Sequence, residues 1–406
     1  MPLELLDPTS PDQAKREGIW QLNFGPQHPA THTTLRLLLT LDGEKVIEAE
    51  PDIGYLHSGF ERLAEVLDFN QYVTIVDRMN YISPMANEIA WHHAVERLLD
   101  VKLTPRTTYI RTIFAELMRI QDHLLCVGTC VLDLGGMTAF IYAFNEREKI
   151  YDLCEKASGQ RFHTSYTRVG GLMFDVTDDW VQGVRDFIKN FHKVHADVTR
   201  MVMKNRIFIE RTQGLGVLNK EEAISGSATG PIARASGVQR DLRRDDPYLA
   251  YDELDFDVIC ATAGDCFARF QVRMLEMLES IKIITQALEN LPAGTVFSNQ
   301  TDKEALPNKA EVYRSIEGLI HHFEMVMPNR QIAAPRDEVY AATESPNGEL
   351  GYYIVGDGTF RSYRARTRPP SFIHFSLFPQ LIRGCQLSDV VAVLGGLNII
   401  AAELDR

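Results

Sequence analysis

Two histidines, His28 and His32, stand in the segment Asn23 to Arg36, Asn-Phe-Gly-Pro-Gln-His-Pro-Ala-Thr-His-Thr-Thr-Leu-Arg. Imidazole has an ordinary pKa of about 6.5, so it gives and takes a proton near neutral pH. Pro26 and Pro29 fix φ and remove two donors, so a helix cannot run through the segment. A loop stiffened in this way holds its rings in place and leaves them open to a cleft, which suits proton transfer. Spacing alone does not compel that reading of His32, because a loop histidine more often satisfies backbone groups nearby.

Three further residues carry titratable groups at positions that invite chemistry. Tyr81 closes the string Asp77-Arg-Met-Asn-Tyr81 at the start of a helical pattern, and by itself reads as an ordinary tyrosine. Asp133 ends a long helical pattern just before Gly135-Gly136. The helix dipole disfavours a carboxylate at that end, so local structure gives it no reason to be there. His163 lies in Arg161-Phe-His-Thr-Ser-Tyr-Thr-Arg168. Other groupings are set aside. His123, Cys126 and Cys130 share one helical face, where packing is the better explanation than a metal. His192 and His195 read as solvated on a charged helix, and His92 and His93 point to different faces. Arg361, Arg364, Arg366 and Arg368 form a basic patch, read as an interface with another chain in preference to strand-edge protection.

The elements that must position these groups follow from periodicity. Thr34, Arg36 and Thr40 alternate with Leu35, Leu37, Leu39 and Leu41, a half-buried strand; Asp42-Gly43 turns it and residues 44–50 return. Ser83-Pro84 opens a helix to about Val101, with Ser83 as cap. A second helix runs from Pro105 to Leu134, with Ile110, Ile113, Phe114, Leu117, Ile120, Leu124 and Val127 as its apolar stripe. Further helices are expected over 140–158, 178–204 and 255–289, and a short one from Lys309. Residues 214–247 read as an ordered loop and 301–307 as a polar linker. Residues 350–355 and 359–368 flank Gly356-Asp357-Gly358 as a hairpin. The expected fold class is α+β, one unit over 1–406. An N-terminal β region (15–60) carries the histidine loop, a helical core spans 60–330, and 331–406 adds the hairpin.

A chain of 406 residues with 45% hydrophobic content can bury a sizeable core. Its net charge of −13 argues against binding nucleic acid or an anionic membrane surface. No apolar run reaches the roughly 18–20 residues of a membrane helix. The best, Val390 to Leu404, is interrupted by Gly395, Gly396 and Asn398. The N-terminus has no basic and apolar signal-peptide regions, so a soluble intracellular chain is expected. The six cysteines include no Cys-x-x-Cys pair and make no disulfide framework. Gly214-Leu-Gly216 lacks the spacing of a dinucleotide site.

The Asn23–Arg36 segment resembles the motif Gly-Pro-Gln/His-His-Pro-x-x-His-Gly-Val-Leu-Arg of the 49-kDa, or D-type, family of NADH:quinone oxidoreductase subunits, from respiratory complex I. The resemblance continues in family order through 52–61 (Asp-Ile-Gly-Tyr-Leu-His-Ser-Gly-Phe-Glu), Asp77–Tyr81, Leu132–Thr138, Asn145–Glu148 and Tyr166–Gly171. It goes on through Ser225–Gly230, Arg234–Gly237 and the terminal Glu403-Leu-Asp-Arg406. The nickel–iron hydrogenase large subunits share this superfamily, but their two Cys-x-x-Cys pairs have no counterpart here.

The resemblance implies a quinone site, with His28, His32 and Tyr81 around the headgroup and Asp133 paired with His32. That carboxylate would orient the ring and raise its proton affinity. His163 would lie near a 4Fe–4S cluster held by the neighbouring small subunit, as a cationic imidazole that raises the cluster's potential. Two departures stand out: Asn80 replaces a usual aspartate beside the tyrosine, and Ser58 replaces a frequent arginine. No cofactor is expected on this chain itself, and no metal. The implied partners are the small iron–sulfur subunit, the 30-kDa or C-type subunit and the membrane quinone-channel subunit. The implied location is the cytoplasmic face of the cell membrane, as a peripheral part of a proton-translocating complex. A ferredoxin- or deazaflavin-fed relative and a non-redox scaffold are the alternatives.

Overall fold

The computed structural model of the protein describes residues 5–6, 18–31, 34–298, 307, 309–327 and 332–406. At the N-terminal end, β1 (Leu5–Leu6), β2 (Ile19–Phe24), β3 (Arg36–Asp42) and β4 (Lys45–Asp52) pair antiparallel in chain order. The leucines expected on the inner face of β3, Leu37, Leu39 and Leu41, are fully buried. They pack on Phe378, Ile382, Val390, Val393 and Leu397 from the other end of the chain, so one apolar cluster ties the two ends together.

The middle of the chain is helical. It begins with α1 (Phe60–Ala64), α2 (Val73–Val76), α3 (Pro84–Leu99), α4 (Pro105–Asp133) and α5 (Met137–Ser158). A small ribbon, β5 (Thr167–Arg168) with β6 (Gly171–Leu172), leads into α6 (Asp178–Val202) and α7 (Arg206–Thr212). Residues 214–247, expected to be loop, hold three short helices: α8 (Lys220–Ser225), α9 (Gly230–Ala235) and α10 (Leu242–Asp245). Asn219 caps the first with a reciprocal Glu222 bond. The long α11 (Cys266–Glu289) begins eleven residues later than expected, because Asp265 accepts the Ala268 amide at 2.7 Å and sets the cap there. Ser83 does not cap α3: its hydroxyl is buried without a hydrogen-bond partner among the described residues, and only its carbonyl takes the Ala86 amide.

Towards the C-terminus come α12 (Lys309–Arg314) and α13 (Ile316–Val326). The expected hairpin is three-stranded, β7 (Glu338–Ser345), β8 (Gly348–Gly356) and β9 (Ser362–Arg368). Finally α14 (Pro370–Ser376), α15 (Phe378–Ile382), α16 (Leu387–Leu397) and α17 (Ala401–Asp405) return to the N-terminal sheet. Of the expected linker, residues 301–306 lie outside the described residues. The architecture is therefore α+β, a helical bundle with small antiparallel sheets. No helix among the described residues is long and apolar enough to cross a membrane.

The centre of the bundle departs most from a simple amphipathic reading. α4 packs against α3, α5, α11 and α16, and its polar residues are as buried as its apolar stripe. Arg119 and Arg243 hold Glu116, Arg243 also holds Asp241, and Arg234 bridges Glu276 and Glu344 at 2.7 Å each. Burial alone pushes the Glu116 carboxyl up, but the two guanidiniums with Ser280 and Tyr251 bring it down to about 2. Such a network contributes little net stability, yet removing one member leaves an uncompensated buried charge at a cost of about 3–5 kcal/mol. His123 belongs to this network through Glu276 at 2.9 Å. His195, expected to be solvated, instead reaches the Met274 carbonyl at 2.8 Å.

Candidate functional site

The histidine loop is built as its Gly/Pro content demands. Gly25 has φ of +98°, and a β-carbon there would stand 1.9 Å from the Leu35 carbonyl oxygen, so only glycine lets the loop cross the start of β3. Residues 29–31 form one 3-10 turn, closed by Thr31, whose amide and hydroxyl donate to the His28 carbonyl at 3.1 and 2.8 Å. The His28 ring is exposed and lies 4.6 Å from that of Phe24. His32 lies outside the described residues.

The Tyr81 turn is enclosed. Tyr81 is half-buried against the cluster that contains Phe60, Tyr72, Met79, Trp91 and Tyr352. The Asn80 carbonyl accepts from Asn87 Nδ2 at 2.9 Å and from the Ser83 amide at 3.1 Å. The Asn80 side chain accepts from the Ile82 amide and donates to Asp122 Oδ2 at 3.4 Å. Asp122, wholly buried on α4, thus supplies the negative charge that the sequence lacks at position 80. Burial, reinforced by Asp122, raises the phenol's pKa, so Tyr81 keeps its proton at neutral pH.

Both parts border α16. Asn398, the left-handed cap of that helix, donates to Asp122 Oδ1 and to Asn347 Oδ1, each at 2.6 Å. The 29–31 turn packs on α16, as does α4. Asp133 is the last residue of α4, and a β-carbon at Gly395 would stand 3.8 Å from its Oδ2. Arg273 donates to the Gly396 carbonyl at 2.8 Å, a cation placed where the helix dipole favours it. The same stretch, Val390 to Leu404, is the apolar run interrupted by Gly395, Gly396 and Asn398. Its interruptions were the available signal for this junction.

His163 sits elsewhere in the fold, in a left-handed conformation with φ of +54°. Burial, then the nearby charge of Arg78, holds its pKa below the ordinary imidazole value. Arg78, exposed and three residues before Tyr81, provides positive charge on this side. Ser58 only donates to the Leu56 carbonyl at 3.3 Å. Arg364 and Arg368, expected at an interface with another chain, are both half-buried and paired within this chain. The first pairs with Glu61 and Glu65, the second donates to the Glu349 carbonyl at 2.6 Å. A cavity of about 390 Å³ lies between residues 53–62, Arg364 and the chain end, apart from Tyr81 and Asp133.

Residues 133–406 match the family described as "Respiratory-chain NADH dehydrogenase, 49 Kd subunit". A D-type subunit of the NADH-quinone oxidoreductase of Chloroherpeton thalassium is 45% identical over 385 residues, 95% of this chain and 87% of that protein. The D-type subunit of the Geobacter sulfurreducens NADH-quinone oxidoreductase is 44% identical over 388 residues, 96% and 99% of the two chains. The C/D-type subunit of the Bdellovibrio bacteriovorus NADH-quinone oxidoreductase is 42% identical over 400 residues, 98% of this chain and 71% of that one. The chain belongs to the family of the 49-kDa subunit of respiratory-chain NADH dehydrogenase.

Proposed function

We propose that this chain is the quinone-site subunit of a complex I-type NADH:quinone oxidoreductase. The observation that carries the reading is that the 29–31 turn, Asp133 and, through Asn80 and Asp122, the Tyr81 turn all border the same helix, α16. Quinone reduction takes two electrons and two protons. The electrons arrive from a 4Fe–4S cluster in a neighbouring small subunit, near His163 and Arg78. The protons come from Tyr81 on one side of the headgroup and His32 on the other. The role of His32, and its pairing with Asp133, rests on the motif alone. A phenol kept protonated by burial and by Asp122 is a donor held in reserve until a strongly basic reduced quinone takes its proton. When His32 gives up its proton, Asp133 loses its counter-charge, and the resulting rearrangement starts proton translocation.

The names of the relatives favour NADH over ferredoxin or deazaflavin as the electron source. The C/D-type relative favours a C-type subunit among the partners, beside the small iron–sulfur subunit and a membrane quinone-channel subunit. The chain then sits on the cytoplasmic face of the cell membrane, held there by those partners. Tyr81→Phe in the assembled complex tests the reading. Quinone reductase activity should fall by about a hundredfold or more, the usual worth of a positioned proton donor. NADH oxidation by ferricyanide, which takes electrons upstream, should stay unchanged. Equal loss of both activities would show that Tyr81 serves assembly and not the headgroup.

A further inference from the structure

We infer that Asp77 and Glu88 hold a single proton between them and act as a positioning pair that ties the Tyr81 turn to the His163 loop. The inference rests on the quinone-site reading for its link to turnover, but the pair itself stands on geometry. Asp77 opens the turn that ends at Tyr81, and Glu88 lies one turn into α3; both side chains are completely buried. Consecutive donors of the 164–167 segment divide between them. Asp77 Oδ2 accepts the Ser165 amide and hydroxyl at 3.0 and 3.1 Å. Glu88 Oε2 accepts the amides of Tyr166 and Thr167 at 2.8 and 2.7 Å and the Thr167 hydroxyl at 3.1 Å, while Oε1 accepts the Thr164 hydroxyl at 2.8 Å.

Glu88 therefore takes four donors and is the carboxylate of the pair. Asp77 Oδ1 is buried and receives no hydrogen bond among the described residues, and the Asp77 carboxyl stands within hydrogen-bonding reach of the Glu88 carboxyl. A proton on Oδ1, donated to Glu88, satisfies both groups. Burial, and then the Glu88 charge, raises the Asp77 pKa well above the usual carboxylate range, in the same direction. Charge matching agrees. The cation facing both carboxyls is Arg168, which caps the loop from the other side through the Ser165 and Thr167 carbonyls at 2.7 Å each. One negative charge on the pair balances one guanidinium; two would leave a buried anion unmatched. The other titratable groups facing the site add no charge there. His92 on α3 is held neutral by burial and bonds Thr167 Oγ1 at 2.7 Å, while Tyr352 on β8, Cys154 on α5 and Tyr166 are buried and keep their protons. Arg78 and His163 lie at the outer edge.

The arrangement has a task. His163 and Ser165 adopt left-handed backbone conformations, φ +54° and +42°, that non-glycine residues resist. Two carboxyls gripping the amides between them hold that loop, and Asp77 passes the constraint directly into the turn that places Tyr81.

The test compares isosteres in the assembled complex. In Asp77→Asn the amide NH₂ replaces the acid O–H towards Glu88 and the amide oxygen still serves Ser165. Quinone reductase activity should stay within about twofold of wild type at neutral pH. Wild-type activity should fall as rising pH strips the shared proton, and in Asp77→Asn that fall should vanish. In Glu88→Gln an NH₂ faces donors that need an acceptor, which should cost about tenfold or more at every pH. Asp77→Asn as damaging as Glu88→Gln, or an Asp77→Asn profile with the wild-type high-pH fall, overturns the shared proton. Ferricyanide activity and the amount of assembled complex, measured alongside, separate this from failure of the quinone reading. In that case quinone and ferricyanide activities would fall together, in Tyr81→Phe as well.

Discussion

The loop that carries His28 and the turn that carries Tyr81 are tied to the same helix, α16, by opposite means. The loop is exposed at its tip and held by backbone geometry: a glycine no other residue can replace, two prolines, and Thr31 closing one turn. The turn is buried and held by side chains, with Asn80, Asn87 and Asp122 each fixing an atom of it. The exposed loop leaves the His28 imidazole near solvent. The buried turn changes the chemistry of its residue, because desolvation and Asp122 act on the phenol itself.

The comparison is broken most strongly on the buried side. Glu403 is enclosed beside Ser371, and burial, with a further push from Asp122, raises its carboxyl to about 8. Its folded pKa lies above the unfolded value, so the native state binds the proton more tightly. Stability is then full below about 4.5 and falls as pH rises to about 8. Glu403→Gln should remove that slope, a difference of a few kcal/mol between the two stability profiles across the window. Parallel profiles would mean that Glu403 is solvated. Next, Asp122→Ala strands the amides of Asn80 and Asn398, and denaturant unfolding should show a loss of about 3 kcal/mol. A loss below about 1 kcal/mol would place water in the gap.

On the loop side the largest effect belongs to the backbone. Gly25→Ala should cost about 2 kcal/mol or more, from the positive φ and the contact with Leu35. An unchanged melting temperature would show that the loop shifts freely. The smallest change is His28→Ala, expected within about 0.5 kcal/mol because the residue is exposed. A larger loss of stability would give His28 a structural role and erase the contrast between the two regions.

Periodicity located α4 to within a residue and β3 by its alternating leucines, because both signals are local and repeat over several turns or pairs. It failed at α11, where Asp265 supplied a cap that Asp255, a similar residue, did not. It also failed for the polar side of α4. An apolar stripe predicts which face is buried, but not that the opposite face will be buried too against arginines from α9, α10 and α11.

By itself the sequence determined that residues 25–31 form a stiff, non-helical segment ahead of a strand, since proline and glycine act within one or two residues of their own position. It also determined the nine ordered motifs, and through them the family. Only the tertiary structure decided what surrounds the chemical groups. Asp122 and Asn398 are 276 residues apart and meet only because α4 and α16 pack together. Asp77 and Glu88 become a pair only when a third segment, 164–167, folds onto both. Burial and neighbouring charge set whether a phenol, a carboxyl or an imidazole holds its proton, and both are properties of packing, which no local pattern encodes.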